Sequence, residues 1–289
     1  VTVTDDGGSS GRLRQDFNML PPGDIRNCMV ALSAEEDLLS KLFAYRFTSG
    51  AGLGGHSFGN LFITALSEIT GDFAHAVQLA SKILATRGRI YPATTSNATV
   101  VAHMEDGSVV RGETNITASK QRIAELMLDP PNAAAMPETL DAIQRADLIT
   151  VGPGSLYTSL ITNLLVQGIP SALAAATGIR VFICNLMTQA NESLGLTASE
   201  HIERIYEHTR APIFDYAIIN TAKFAPETLA RYAAENASPI AADIERVERL
   251  GVRCIAGDFA SEDNVVRHAA NRVTGALLAL GNSRSPNRL

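Results

Sequence analysis

The chain lacks tryptophan, is sparing with cysteine, carries no surplus of basic residues and contains no long apolar run. The missing tryptophan bears on no function. Cys28, Cys184 and Cys254 are odd in number, far apart and without a Cys-x-x-Cys pair. They read as small buried apolar side chains in a reducing compartment. No cluster of His and Cys has metal-ligand spacing. Without a stretch of about 18 apolar residues no transmembrane helix is expected, and no basic-then-apolar segment opens the chain. A cytoplasmic protein is therefore expected. The formal net charge of −6 gives no electrostatic case for nucleic acid or an anionic membrane. It leaves open a small anionic ligand held by local arginines and backbone N–H groups.

What is present is largely apolar: 46% of the 289 residues, against 19% charged. That suffices for a sizeable core in one large α/β domain or two small ones. The reading adopted is a single domain over 1–280 with a disordered tail at 281–289. Residues 1–4 read as the end of a strand running into a loop, so a further strand and helix are expected to precede it. A long Gly/Pro/Asp-rich loop is expected over 5–23. Asp24 is the expected N-cap of a helix with Met29, Val30 and Leu32 facing inward. Helices are expected over 35–45, around Leu61, Phe62, Ala65, Leu66 and Ile69, and over 73–84. Residues 98–104 and 108–113 alternate about Glu105-Asp106-Gly107, a β-hairpin signal. Then come helix 137–145, strand 147–151, loop 152–155, helix 157–167, strand 181–186, helix 198–208, strand 216–220 and a last helix over about 268–280. Apolar strands alternating with helices give a parallel sheet covered on both faces. Ligands in such sheets lie beyond the carboxyl ends of the strands, here after Thr4, Val151 and Ile183.

Asp5-Asp6-Gly7-Gly8-Ser9-Ser10-Gly11-Arg12 joins two carboxylates to glycines and donors. Carboxylates hold a hard cation or sugar hydroxyls, and glycines let backbone N–H groups approach an anion. A plain turn rarely needs all of these together. Leu20-Pro21-Pro22-Gly23-Asp24-Ile25-Arg26-Asn27 is equally a stable loop-to-helix junction and a helix start where Arg26 and Asn27 meet a ligand. Gly55-His56-Ser57-Phe58-Gly59 has the letters of a nucleophile elbow but follows a glycine loop where a strand is needed. A helix N-terminus at which Ser57, Asn60 and free N–H groups meet phosphate is the better reading, with His56 a structural hydrogen-bonder. Gly152-Pro153-Gly154-Ser155 sits between strand and helix, a phosphate geometry without a Walker motif. Asn185, Thr188 and Gln189 at another strand end can read a base or sugar edge. Arg87-Gly88-Arg89 and Arg267-His268 are basic candidates that solvated surface explains as well. If the strand ends converge, one crevice grips a diphosphate.

These stretches, with Thr86-Arg87-Gly88-Arg89-Ile90-Tyr91-Pro92 and residues 104–112, resemble the YvcK family, described as gluconeogenesis factors, and run in that family's order from residue 4 to about 220. The resemblance implies a Rossmann-like CofD fold. It also implies binding of UDP-sugars such as UDP-N-acetylglucosamine, and regulation of carbon metabolism, cell shape and envelope synthesis. The related CofD transferases move a phospholactyl-type group from a nucleotide carrier to a deazaflavin with Mg²⁺, and Asp5-Asp6 matches their acidic pair by position. Family members carry a Gly-Gly-Gly-Thr-Gly loop before that pair, which this sequence does not include.

Two functions follow. In a binding and regulatory protein, Asp5 and Asp6 meet ligand hydroxyls or a cation. Residues 152–155 and the Ser57 helix end hold phosphate, and Asn185, Thr188, Gln189 and Arg267 complete the site. In a transferase of phosphorus-containing groups, Asp5 and Asp6 hold Mg²⁺, although no histidine base stands beside them in sequence. No firm cofactor is expected in the first case. A regulatory protein partner and a homodimer remain open in both.

Overall fold

The computed structural model describes residues 1–33, 38–119, 121–189, 192–263 and 265–283. They group into two compact units. The first holds Val1–Ser119, Ala124–Leu140 and Val166–Gly168; the second holds Lys120–Ile123, Asp141–Leu165 and Ile169–Leu289.

In the first unit α1 (Gly8–Phe17), α2 (Gly23–Leu32), α3 (Leu38–Ala44), α4 (Phe58–Thr70) and α5 (Phe73–Ile83) precede β1 (Thr99–Met104), β2 (Val109–Arg111), α6 (Glu113–Ala118) and β3 (Ile123–Asp129). The strands lie in the order β2-β1-β3. The hairpin forms where the sequence places it. β1 and β2 pair antiparallel with Ala102 opposite Val110, and Asp106 accepts from the Ser108 N–H and hydroxyl across the turn. The core joins Ile25 and Met29 of α2, Phe43 of α3, Ile63 of α4, and Val77 and Ala80 of α5, with Val3 and Leu20. α4 starts at Ser57, whose hydroxyl accepts from the Asn60 N–H, and stops at left-handed Gly71. α5 starts at Asp72, which accepts from the His75 N–H.

α7 (Pro137–Arg145) leads to the strands of the second unit, β4 (Leu148–Val151), β5 (Ile179–Ile183), β6 (Tyr216–Asn220) and β7 (Arg253–Gly257), a parallel sheet in sequence order. The crossovers carry a π-wound turn Leu156–Ile161, α8 (Thr162–Leu164), α9 (Ile169–Ala175), α10 (Ala198–Thr209), α11 (Pro226–Ala234) and α12 (Ile244–Arg249). β8 (Ala260–Glu262), β9 (Val266–His268) and α13 (Ala270–Ser283) follow. Strand alternation sorts the faces. Ile179, Val181 and Ile183 of β5 pack with Val273 and Leu280 of α13, while Phe182 lies tilted on Phe214, which stacks on Tyr206 of α10. Each fully buried aliphatic side chain contributes about 1.5–3 kcal/mol. α10 begins with a capping box between Thr197 and Glu200. This is the expected α/β architecture with a parallel sheet flanked by helices. Among the described residues no helix is long and apolar enough to cross a membrane.

Several expectations are corrected. Residues 1–4 form no strand: Val1 exchanges backbone hydrogen bonds only with Tyr91 and Ala93. Thr4 therefore ends no strand of the parallel sheet. The loop expected over 5–23 contains α1. Its inner face is Ser9, Ser10, Gly11 and Leu13, so small polar residues stand where apolar periodicity was sought. Asp24 lies inside the first turn of α2, whose cap position is Pro22. Leu32 and Ile69 are exposed, because Met29 and Ile63 carry the inward faces. The expected helix 157–167 ends at Leu164, and β5 stops at Ile183, where the backbone turns into the 184–189 loop. α13 continues through 281–283, which the sequence assigns to the tail; 284–289 and the start of the expected helix 35–45 fall outside the described residues.

Candidate functional site

The candidate residues fall into two groups, one in each unit. In the first unit, Asp5 opens the group. Its Oδ1 accepts from the Gly7 N–H at 2.8 Å, which turns the chain into α1. A Cβ at Gly23 would overlap Ser10 Oγ and stand 2.8 Å from Asp5 Oδ2. Glycine is thus required where α2 begins, and it lets Asp5 and Ser10 pack against the first turn of α2, which carries Asp24. The Asp24 carboxyl is raised to about 6, first by burial, then by the negative charge of Asp5, with Arg26 among the charges opposing the rise. Asp6 turns elsewhere. Its Oδ1 accepts from the Thr114 N–H at 2.8 Å and hydroxyl at 2.7 Å, so it caps the first turn of α6, while Oδ2 lies against Gly112.

Behind these residues runs a buried polar chain. Arg26 Nε donates to Asn60 Oδ1 at 3.1 Å. The Asn60 amide donates to Ser9 Oγ at 3.1 Å, and Ser9 Oγ meets His56 Nδ1 at 2.9 Å. A hydroxyl that accepts from Asn60 has its own hydrogen free for His56. The imidazole then accepts at Nδ1 and carries its proton on Nε2. Burial, then the positive charges of Arg12 and Arg46, hold the His56 pKa below its usual value, which favours that neutral ring. Arg12 reaches the Gly54 carbonyl at 2.8 Å and Arg46 the Gly55 carbonyl at 2.5 Å. Ser57 is fully buried as the α4 cap, and His56 is directed at Ser9; neither has the exposure or the partner that a nucleophile elbow needs.

In the second unit, β4 and β5 are parallel neighbours with Val151 opposite Phe182. Their carboxyl ends therefore present the 152–155 and 184–189 loops side by side. The Asn185 amide closes a two-bond clasp on Gly154, donating to its carbonyl at 2.7 Å and accepting from its N–H at 3.2 Å. Gln189 Nε2 donates to Ser155 Oγ at 3.0 Å. Gly152 has φ +94 and a Cβ there would lie 2.6 Å from the Ile183 carbonyl, so only glycine fits between the strands. Immediately after this loop a carboxylate already occupies the helix start. Glu192 Oε2 accepts from the N–H groups of Tyr157 at 3.1 Å and Thr158 at 3.3 Å, and Oε1 from the Thr158 hydroxyl at 2.8 Å.

The structure brings together Asp5, Gly7 and Ser10, then Ser9, His56 and Asn60, and separately Gly152, Gly154, Ser155, Asn185 and Gln189. Gly8 starts α1, and Pro153 is exposed at the loop tip. Asn27 faces solvent on α2. Thr188 is buried, its hydroxyl accepting from the Ser238 N–H at 2.9 Å. Arg267 is exposed on β9, opposite Ser261. Asp24, Arg26 and Glu192 went unassigned or were given other roles. The Gly-Asp-Ile-Arg run was the available signal for the first two; nothing local marks Glu192. Asp5 and Asp6 do not fit a shared two-carboxylate grip on a cation, since their remaining oxygens face Gly23 and Gly112 respectively. Among the described residues no three His, Cys, Asp or Glu side chains gather as a metal cage.

The features define an α/β protein with a clasped glycine loop at the carboxyl edge of a parallel sheet in one unit and a buried Arg26–Asn60–Ser9–His56 polar chain in the other. The family model described as 2-phospho-L-lactate transferase CofD matches residues 1–260. A Bacillus subtilis protein named gluconeogenesis factor is 44% identical over 97% of this chain and 89% of its own length. A Nostoc protein named putative gluconeogenesis factor is 46% identical over 96% of this chain, which spans only 62% of that relative. A Bacillus halodurans protein of known crystal structure superposes with a TM-score of 0.94 at 44% identity, covering 96% of this chain and 90% of the other. The chain belongs to the CofD family. Its similarity to the gluconeogenesis factors extends over nearly its whole length.

Proposed function

We propose that this protein binds a nucleotide-sugar of the UDP class in the cytoplasm. In this reading it acts as a regulatory binding protein of carbon metabolism, with consequences for cell shape and envelope synthesis. The observation that carries the proposal is the Asn185–Gly154 clasp, which holds two polar loops together at the carboxyl ends of adjacent parallel strands. That edge is where open α/β sheets take nucleotides. The gluconeogenesis-factor names of its relatives support the metabolic setting. Ser155, Asn185 and Gln189 supply neutral donors and acceptors for a base or sugar, and Arg267 a cation for phosphate. The clasp does not depend on the helix start at Leu156–Ile161, whose Tyr157 and Thr158 N–H groups already serve Glu192.

The name of the matching family model favours a second reading, a transferase of phosphorus-containing groups, and Mg²⁺ enters its test as the metal such transfers commonly use. One calorimetric experiment separates them. The protein is titrated with UDP-N-acetylglucosamine with and without Mg²⁺, and the nucleotide is then recovered and weighed by mass spectrometry. Saturable binding that is weakened in Asn185→Ala, with intact ligand recovered, supports the binding protein. Mg²⁺-dependent breakdown of the ligand supports the transferase. No heat of binding in either condition sinks the nucleotide-sugar reading.

A further inference from the structure

In the first unit, α5, the residues that follow it and the start of α7 surround a cavity of about 490 Å³. Its size falls within the roughly 300–1,000 Å³ of small-molecule sites. It includes none of the residues named above for nucleotide binding. Gln78, Ser81, Lys82 and Ala85 recur at helical spacing, so α5 and its C-terminal turn present one face to it. A further wall comes from the Thr86–Tyr91 stretch, a sequence motif that the nucleotide reading leaves without a role. Gly88, at φ +100, lets that stretch double back so that Arg89 joins Lys82 at the cavity.

The chemistry of the wall is directional. Lys82 and Arg89 belong to none of the ion pairs among the described residues. Arg89 is hydrogen-bonded to the Tyr91 side chain, a neutral partner that orients the guanidinium without cancelling its charge. Two cations outside any described ion pair stand at one cavity in a chain of net charge −6. The Ser81 hydroxyl is buried and has no hydrogen-bond partner among the described residues. Ile90, Ala85 and the Tyr91 ring supply apolar wall. Gln78 and Glu138 line both this cavity and a second of about 420 Å³, so an amide and a carboxylate stand where the two adjoin.

We propose that this cavity is a second ligand site, taking a small organic anion whose phosphate or carboxylate meets Lys82 and Arg89. The hydroxylated body of that ligand extends past Ser81 to Gln78 and Glu138. Glucose 6-phosphate and phenyl phosphate are suitable probes, with glucose, phenol and inorganic phosphate as controls. Binding is followed by calorimetry and by heteronuclear NMR shifts of the 78–91 amides. At least one probe saturates the wild-type protein and shifts those amides. The Lys82→Gln/Arg89→Gln double variant, which changes only exposed side chains, weakens it by about tenfold or more, as expected for charge-assisted contacts. Ser81→Leu, which intrudes on the cavity wall, also weakens it, and UDP-N-acetylglucosamine binding is unchanged in both variants. Failure of both probes to bind, or retention of affinity in the double variant, overturns the proposal. Parallel loss of UDP-N-acetylglucosamine binding overturns the claim of a separate site.

Discussion

Replacing Asp24 by asparagine removes one charge and almost no volume, and the structure fixes the sign of the outcome. The side chain is half-buried in the first turn of α2 beside Asp5, and its carboxyl moves from 3.8 to about 6. Each pH unit corresponds to 1.36 kcal/mol, so ionised Asp24 weakens the folded state by about 3 kcal/mol. The favourable pull of the helix N-terminus on a first-turn acid, under about 1 kcal/mol at most surface sites, is too small to reverse this. The folded pKa is the higher one, so between 3.8 and about 6 the native state binds more protons than the unfolded chain. This contribution to stability therefore falls as pH rises through that window. Asp24→Asn should match the wild type below the window and exceed it by about 3 kcal/mol above it. Urea unfolding followed by circular dichroism from pH 3.5 to 8 reads the difference directly. A difference that stays flat with pH, or a variant less stable than wild type at pH 8, would refute the placement of Asp24 against Asp5.

Other outcomes follow from single contacts. Glu192→Ala leaves the Tyr157 and Thr158 N–H groups without their acceptor and should cost about 2–3 kcal/mol in urea unfolding, with Glu192→Gln intermediate. Asp6→Ala removes the cap of α6 and should lower stability by about 1 kcal/mol, while UDP-N-acetylglucosamine affinity measured by calorimetry stays the same; a lost affinity would restore Asp6 to the ligand site. Asn185→Ala should weaken that affinity about tenfold, since one or two hydrogen bonds order the loop. The ring protons of His56 should titrate below 6.5 in NMR spectra, as the direction of its pKa requires. Native Cys184, whose thiol burial pushes up to about 12, should resist iodoacetamide until the protein unfolds.

The sequence by itself determined the elements whose signals are local. The Asp106-Gly107 turn, helix α7 at Pro137–Arg145, the apolar runs of β4, β5 and β6, and the glycines bracketing Pro153 follow from turn chemistry, period and strand composition. They sufficed for the α/β class and for the loops at the sheet's carboxyl edge. Elements with weaker patterns were missed: α6, β3, α9, α11, α12 and β7 either are short or mix apolar and charged residues without a clear period. α1 escaped because Ser9, Ser10 and Gly11 fill its inner face, and their purpose is visible only when His56 and Asn60 arrive from about fifty residues away. Only the tertiary structure could decide that the two adjacent aspartates part company. Asp6 turns to a helix start 108 residues later, while Asp5 turns to the Gly7 N–H and the start of α2, because α2 begins at a glycine small enough to let it approach. Only the fold, again, could show that a helix start that looks ready for phosphate is filled by Glu192. Backbone N–H groups at a helix end accept whichever anion the chain brings near, and sequence spacing does not record which one arrives.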